Sequence, residues 1–339
     1  MQAEALSSQV GETIDGRFRV DALLGEGAVG AVYRVVELSS GRVLALKQWD
    51  TSTLDPQVRG RFLREINALV ALDHPNIVKV YGHGMVDRVP YMVLEYLEGQ
   101  TVDALLADGE PLEPELAFEI ARQALRAIAY AHQQNVVHRD LKPENIFLTQ
   151  VGGRPHVKIL DYGLAKFMTA TGDPTRDKTL TSTGMVVGTP LYMPPEQATG
   201  ASVDLPVDVY AMGCVLFEML TGRLPFQGES RFDLMTAHMR DPIPRLADVC
   251  PGMRIAPELQ TLIDRALAKK QTERFPHAEA MLSALESLPN DPLVAAGVQP
   301  SPPRARQAPQ AHAARGGMLP LVAIAVVVIL GAVAFVLAR

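Results

Sequence analysis

Cysteine, tryptophan and positive charge are scarce in this sequence of 339 residues. Its two cysteines, Cys214 and Cys250, exclude a disulfide framework and a zinc site closed by cysteine alone. The net charge of −6 excludes the basic surface of a nucleic-acid-binding protein, so we expect no nucleic-acid partner. Residues 1–12 lack the basic and apolar regions of a signal peptide. A hydrophobic content of 47% excludes a disordered chain and predicts a large buried core.

The longest apolar run extends from Met318 to Ala338 and contains no charged residue. As an α-helix it would cover about 30 Å, which is the thickness of the hydrocarbon core of a bilayer. We therefore predict a transmembrane helix at 318–338. A buried core helix and the tail signal of a lipid-anchored protein are the alternatives.

Residues 289–317 precede this run and are rich in proline and alanine, which predicts an extended linker rather than a packed unit. Three arginines lie between residue 304 and the apolar run, whereas only Arg339 follows it. By the positive-inside rule, the large N-terminal part is expected in the cytoplasm. The sequence thus predicts a single-pass protein of the cell (inner) membrane, in contact with the lipid bilayer, and no sensor domain beyond the span.

Glycines interrupt a predicted hairpin near the N-terminus. Arg17–Leu24 and Ala31–Val36 contain the β-branched and aromatic residues typical of strands, and Gly25-Glu-Gly-Ala-Val-Gly30 lies between them. A dinucleotide-binding turn of the same pattern requires a helix after the glycines, whereas a strand follows here. Glycines in such a hairpin let backbone N–H groups approach phosphate oxygens. An ordinary glycine-rich hairpin also fits the pattern.

A lysine and a glutamate are predicted to point toward the same interior. Lys47 ends the apolar strand Val43–Lys47, and Glu65 borders the apolar stripe of a helix predicted at 58–72. A buried lysine needs a partner to stay charged, and Glu65 could supply it. A surface ion pair is the alternative.

Polar residues also follow the predicted elements of the second half. A helix predicted at 114–134 leads into a loop with Asp140 and Asn145, and a strand at 157–160 ends at Asp161. Two carboxylates and an amide on neighbouring loops suit Mg²⁺, which prefers oxygen ligands. The apolar segment 207–220 is too short to span a membrane and predicts a buried helix.

The order of these motifs resembles that of the eukaryotic-like (Hanks-type) serine/threonine protein kinases of bacteria. The matching positions are Gly25, Gly27, Gly30, Val32, Ala45, Lys47, Glu65, the run His138-Arg-Asp-Leu-Lys-Pro-Glu-Asn145, Asp161, Gly163, Pro195, Glu196, Asp208 and Arg274. The resemblance implies an α+β, bilobal protein-kinase-like fold at 17–288, with a small β-rich N-lobe (17–97) and a mainly helical C-lobe (98–288). Residues 1–16 are then an N-terminal extension.

The resemblance also implies catalytic roles. Asp140 accepts the proton of the substrate hydroxyl, and Lys142 contacts the γ-phosphate and is typical of serine/threonine specificity. Lys47, positioned by Glu65, holds the α- and β-phosphates of ATP. Glu196 is expected to pair with Arg274.

The implied cofactors are ATP and Mg²⁺, with Mn²⁺ as an alternative metal. Asn145 and Asp161 are the implied metal ligands. The residues implied around the nucleotide are Leu24, Gly25, Glu26, Gly27, Ala28, Val29, Gly30, Ala31, Val32, Ala45, Lys47, Glu95, Leu97 and Phe147.

Three residues depart from the pattern of the family, and none is a catalytic group. Tyr162 stands for the usual phenylalanine after Asp161, Pro194 for an alanine, and Gln271 for a proline. Arg139 before Asp140 is typical of relatives controlled by phosphorylation, and the sites implied here are Thr181 and Thr183.

Two other functions compete with an active protein kinase. A pseudokinase scaffold usually lacks the base, the lysine or the metal ligands, all of which this chain keeps. A small-molecule kinase of the same fold is disfavoured by Lys142 and by Gly188-Thr189-Pro190. We therefore expect protein substrates with Ser or Thr. A homodimer is also compatible with these features.

Overall fold

The N-terminal lobe is built on a six-stranded antiparallel sheet. The computed structural model describes residues 9–27, 30–49, 66–87, 89–162, 190–289 and 291–295. The strands lie in the order β1-β2-β3-β4-β6-β5. They are β1 (Thr13–Ile14), β2 (Phe18–Gly27), β3 (Gly30–Glu37), β4 (Val43–Trp49), β5 (Val80–Val86) and β6 (Val89–Glu95).

The two faces of this sheet belong to different apolar clusters, because successive side chains of a strand point to opposite faces. In β3, Val32 packs in the main core, which continues into the second lobe. Ala31, Tyr33 and Val35 pack in a separate cluster on the opposite face. Helical residues 66–70 contribute Ile66 to the main core. The rest of the predicted helix at 58–65, including Glu65, lies outside the described residues.

Two parts of the sheet differ from the sequence interpretation. Strand β5 was not predicted, since its glycines and its exposed Tyr81 interrupt any apolar run. Strand β1 falls within the predicted N-terminal extension, yet it pairs with β2 and its Ile14 is buried. The folded lobe thus begins before residue 17.

The second lobe is mainly helical and carries a small three-stranded sheet in the order β7-β8-β9. Its strands are β7 (Gln100–Thr101), β8 (Ile146–Val151) and β9 (Arg154–Ile159). Its helices are α1 (Val102–Leu105), α2 (Pro114–Gln133), α3 (Pro195–Thr199), α4 (Pro206–Thr221), α5 (Arg231–Arg240), α6 (Leu246–Val249), α7 (Pro257–Ala266) and α8 (Ala278–Glu286). Short 3₁₀ turns form at Pro143–Asn145 and Gln271–Glu273.

Helix α4 is the centre of the second lobe, and its prediction as a buried helix is confirmed. Nearly every one of its side chains is buried, because it is apolar on all sides. Pro206 starts the helix, and Gly222 ends it with φ of 68°. A Cβ atom on Gly222 would lie 2.2 Å from the carbonyl oxygen of Gly109, so only glycine fits this close approach.

The start of the predicted linker is part of the folded lobe. Strand β11 (Leu293–Ala295) pairs with β10 (Met253–Ile255), and Leu293 is buried. The interpretation of all of 289–317 as an unpacked linker was therefore wrong for its first residues. Among the residues that the structure describes, none belongs to a helix long and apolar enough to cross a bilayer, and the predicted span at 318–338 lies outside them.

Candidate active site

A buried aspartate on α4 organises the loop at 137–146. Asp208 accepts hydrogen bonds from the backbone N–H of His138 and of Arg139, both at 2.8 Å. Its Oδ2 also lies 2.9 Å from Nε2 of His132 on α2. Burial on its own raises the pKa of Asp208, but the hydrogen bond from His132 and the other contacts outweigh it, so that the pKa is lowered. The aspartate is therefore an ionised anchor for the loop.

The strained backbone of Arg139 explains why this anchor is needed. Arg139 has φ of 64°, in the left-handed region that a residue with a Cβ rarely adopts. The hydrogen bond from its N–H to Asp208 stabilises this conformation. Directly after it, Asp140 is half-buried.

Asp140, Lys142 and Asn145 lie together on this loop. The side-chain amide of Asn145 donates to the backbone oxygen of Asp140 at 2.7 Å and to its Oδ2 at 3.4 Å. Nζ of Lys142 lies 3.9 Å from Oδ2 of Asp140. Burial alone lowers the pKa of Lys142, but the carboxylates of Asp140 and Glu144 raise it, and their combined effect is larger. Lys142 thus stays a cation next to the proposed base.

Asp161 is held beside this loop by backbone contacts. The N–H of Leu160 donates to the carbonyl oxygen of Asn145 at 2.9 Å, and Nε2 of His138 donates to the carbonyl oxygen of Leu160 at 2.9 Å. Burial lowers the pKa of His138, so the ring is neutral. These bonds bring the two predicted metal ligands, Asn145 and Asp161, to neighbouring loops. An amide oxygen and a carboxylate fit Mg²⁺, which takes its remaining ligands from phosphates and water.

Lys47 reaches Asp161 across the boundary between the lobes. Its Nζ lies 2.6 Å from Oδ1 of Asp161, and the two side chains are 8% and 20% exposed. The structure therefore shows Lys47 paired with Asp161. The predicted partner Glu65 lies outside the described residues.

Tyr162 fills the position after Asp161 with an aromatic ring, as the sequence indicated. The ring packs against His138, with 4.6 Å between the ring centroids. Burial raises the pKa of the Tyr162 hydroxyl. Within the described part of the chain, this buried hydroxyl has no hydrogen-bond partner.

An apolar cavity between the lobes contains much of the predicted nucleotide site. Its lining includes Val32, Ala45 and Lys47 from the sheet, Glu95 at the end of β6, Leu97 after it, and Asp161. Leu24 and Phe147 belong to the same buried core. Ala31 does not join them, because its side chain packs on the opposite face of the sheet.

Described residues of the glycine hairpin belong to the paired ends of β2 and β3. Gly25 and Glu26 continue β2, and Gly27 pairs with Gly30 at the start of β3. Gly30 has φ of 151°, and a Cβ there would lie 1.9 Å from the carbonyl oxygen of Gln48. The position therefore requires glycine. Ala28 and Val29, together with Thr181 and Thr183, lie outside the described residues.

Sequence reasoning missed two residues that organise this site. His132 was not singled out, although it lies on a predicted apolar helix face, where a polar residue is a signal for a buried contact. Lys158 was also missed, although it interrupts the apolar strand Val157–Leu160. Its Nζ lies 2.6 Å from Oε1 of Glu95.

Comparison with protein families gives one match across most of the chain. The family model described as "Protein kinase domain" matches residues 18–284. The serine/threonine-protein kinase pkn3 of Myxococcus xanthus is 38% identical over 291 residues, covering 85% of this chain and 53% of that protein. PrkC of Bacillus subtilis is 36% identical, covering 80% of this chain and 40% of that protein. The chain thus spans about half, or less, of the length of these curated relatives.

Solved structures agree with this match. The kinase domain of PknI from Mycobacterium tuberculosis has a TM-score of 0.63 at 26% identity, covering 82% of this chain and 98% of that one. The structure of Rad53 1-466 in complex with AMP-PNP has a TM-score of 0.64 at 30% identity, covering 79% of this chain and 64% of that one. The bilobal protein kinase fold is therefore confirmed. The chain belongs to the protein kinase domain family, and its matched part is a serine/threonine protein kinase domain.

Proposed function

We propose that this chain is an ATP-dependent serine/threonine protein kinase. The observation that carries the proposal is the position of Asp140, which lies with Lys142 and Asn145 on one anchored loop, next to Asp161 and Lys47. The set contains a base, two cations and two oxygen ligands, and two of its members, Lys47 and Asp161, line the cavity between the lobes. A γ-phosphoryl transfer needs positioning and charge neutralisation of this kind.

In the proposed reaction, Asp140 accepts the proton of a Ser or Thr hydroxyl. The hydroxyl oxygen forms a bond to the γ-phosphorus as the bond from the γ-phosphorus to the bridging oxygen breaks, and ADP leaves. Lys142 stabilises the charge on the transferred group, and Lys47 holds the α- and β-phosphates. Asn145 and Asp161 would hold Mg²⁺, which neutralises phosphate charge when bound.

The test is phosphate transfer from ATP to the chain itself and to a generic basic protein. Asp140→Asn removes the base and is expected to lower the rate about 10²- to 10⁴-fold. Asp108→Asn changes an exposed carboxylate away from the cavity and serves as the matched control. If wild type and Asp140→Asn are equally inactive with Mg²⁺ and with Mn²⁺, the chain is a scaffold rather than an enzyme.

Autophosphorylation is the second part of the proposal. Thr181 and Thr183 are the proposed sites, and Arg139 is the proposed partner of the new phosphate. Phosphopeptide mapping after incubation with ATP is expected to find at least one of the two threonines modified. A map with phosphate only at other residues would contradict this part.

Membrane anchoring is the third part, and the apolar run at 318–338 with its flanking arginines supports it. The chain is expected in the membrane fraction after alkaline extraction, and a chain ending at Gly317 is expected in the supernatant. Anchored copies would meet as homodimers in the plane of the membrane. Equal distribution of both chains between the fractions would exclude the anchor.

A further inference from the structure

We propose that Lys158 is a positioning residue for the nucleotide, acting through the carboxylate of Glu95. The hinge segment, residues 95–99, starts at the last residue of β6 and connects the two lobes. Lys158 lies on β9, three residues before Asp161. The inference rests on the proposed nucleotide site.

The carboxylate of Glu95 is held from two sides. Nζ of Lys158 lies 2.6 Å from Oε1 of Glu95, and the backbone N–H of Lys79 donates to the same oxygen at 2.7 Å. The side chains of Lys158 and Glu95 are only 13% and 20% exposed. Because the pair is largely shielded from water, its charges interact more strongly than those of a surface pair.

The same ammonium group also contacts the segment before β5. Nζ of Lys158 lies 3.4 Å from the carbonyl oxygen of Ile77. That segment is itself bonded to β9, since Ile159 N–H donates to Asn76 O at 2.8 Å and Val78 N–H donates to Ile159 O at 3.0 Å. Lys158 therefore joins three pieces of chain: the hinge segment, the segment at 76–79 and the strand that leads to Asp161.

The position of Lys158 connects this junction to the cavity. In the β8–β9 ladder Lys158 lies directly opposite Phe147, one of the residues predicted beneath the nucleotide. Glu95 lines the cavity and pairs with Leu44 of β4. With Glu95 fixed, the backbone of the hinge segment is held at one distance from Phe147 and Asp161. Without Lys158, the hinge segment would sample other positions, and only a fraction of the molecules would be ready to bind.

A nucleotide then binds more weakly in proportion to that fraction. Once bound, the nucleotide selects the same arrangement, so the transfer step itself changes little. If Lys158 only stabilised the fold, its replacement would lower the melting temperature but would not weaken nucleotide binding selectively while leaving kcat unchanged. The experiment therefore measures nucleotide affinity and kcat separately.

The experiment uses the full chain, the non-hydrolysable ATP analogue AMP-PNP with Mg²⁺, and steady-state phosphate transfer. Lys158→Met keeps an unbranched side chain, one atom shorter, and removes its charge. We expect the dissociation constant of AMP-PNP to rise about five- to tenfold with kcat within about twofold of wild type. Lys158→Arg, which keeps the charge and the donors, is expected to restore most of the affinity.

Lys79→Met is the matched control. Its ammonium group pairs at 2.8 Å with Asp73, an exposed residue, so loss of this lysine charge is expected to leave AMP-PNP binding unchanged. Glu95→Gln provides a second route if Lys158→Met fails to fold, and the double variant is expected to bind no more weakly than either single one.

Three results would overturn the proposal. They are unchanged AMP-PNP affinity in folded Lys158→Met, an equal loss in Lys79→Met, and a change in kcat with unchanged affinity. Failure of wild type to bind AMP-PNP at all would instead contradict the proposed nucleotide site, so the two failures are distinguishable.

Discussion

The guanidinium group of Arg274 holds the carboxylate of Glu196 through two hydrogen bonds, Nη1 to Oε1 at 2.6 Å and Nη2 to Oε2 at 2.8 Å. The two side chains are 0% and 6% exposed. Nε of Arg274 also donates to the carbonyl oxygen of Ala268 at 2.7 Å, and Nη2 to that of Lys269 at 3.1 Å. The pair thus fastens α3 to the chain between α7 and α8, as the sequence indicated.

Arg274→Met is expected to lower the free energy of unfolding by about 3–5 kcal/mol, because it leaves a buried carboxylate without its partner. Urea denaturation measures the change. The double variant Glu196→Gln/Arg274→Met removes both charges and is expected to be more stable than the single variant. Lys270→Met breaks an exposed pair with Glu273 and should leave the urea midpoint unchanged. A single variant as stable as wild type would mean that the pair contributes nothing.

Asp208→Asn tests the anchor of the loop that carries Asp140. The amide can no longer accept bonds from both backbone N–H groups and from His132, so the loop is expected to lose its geometry. Because small displacements of a reacting group are costly, we expect kcat to fall about a hundredfold. Asp204→Asn, at an exposed aspartate before the same helix, is the control. Wild-type turnover in folded Asp208→Asn would refute the anchoring role.

Tyr162→Phe tests a buried hydroxyl without a partner in the described part of the chain. Removing it relieves the desolvation of an unpaired polar group, and we expect stability to rise by up to about 1 kcal/mol with activity retained. Tyr192→Phe is the contrast, since its hydroxyl donates to Oε2 of Glu218 at 2.6 Å and should cost stability when lost. Thermal melts and phosphate transfer report both effects. A marked loss of activity in Tyr162→Phe would reveal a role for the hydroxyl.

Local sequence patterns predicted the helices and strands whose formation depends on neighbouring residues. The hairpin of β2 and β3, helix α2 and helix α4 follow from alternation, helical periodicity and end signals. The residues of the site were predicted from the order of the motifs along the chain. Asp140 and Asp161 are distant in sequence, so no local pattern shows that they lie together. The anchoring of the Asp140 loop by Asp208 is a contact between residues about 70 positions apart, which periodicity does not report.

Elements that depend on distant pairing were missed. Strand β11 lies in a stretch that composition marks as linker, but β10 supplies its hydrogen bonds. Ala31 was implied to lie near the nucleotide, yet the alternation of β3 turns its side chain away from the cavity. The pair between Glu95 and Lys158 joins residues on different lobes, so each looked like an ordinary charged residue in its own strand.

The lowered pKa of the buried His238 leads to a prediction of how the stability of the fold depends on pH. Burial lowers its pKa to about 4, and its Nδ1 lies 2.8 Å from the hydroxyl of Tyr210. An unfolded histidine titrates near 6.5, so between these values the unfolded chain binds more protons than the folded one. The stability that the neutral ring contributes is present above pH 6.5 and is lost as the pH falls toward 4.

Asn is the replacement of choice at His238, because its side-chain oxygen can still accept from Tyr210 and does not titrate. Between pH 7 and pH 4.5, wild type is expected to lose about 2–3 kcal/mol more unfolding free energy than His238→Asn, as measured by urea denaturation. His83→Asn, at an exposed histidine, controls for removing a histidine in general. Parallel pH profiles for wild type and His238→Asn would show that the buried ring is not responsible, because any acid sensitivity would then arise from other groups.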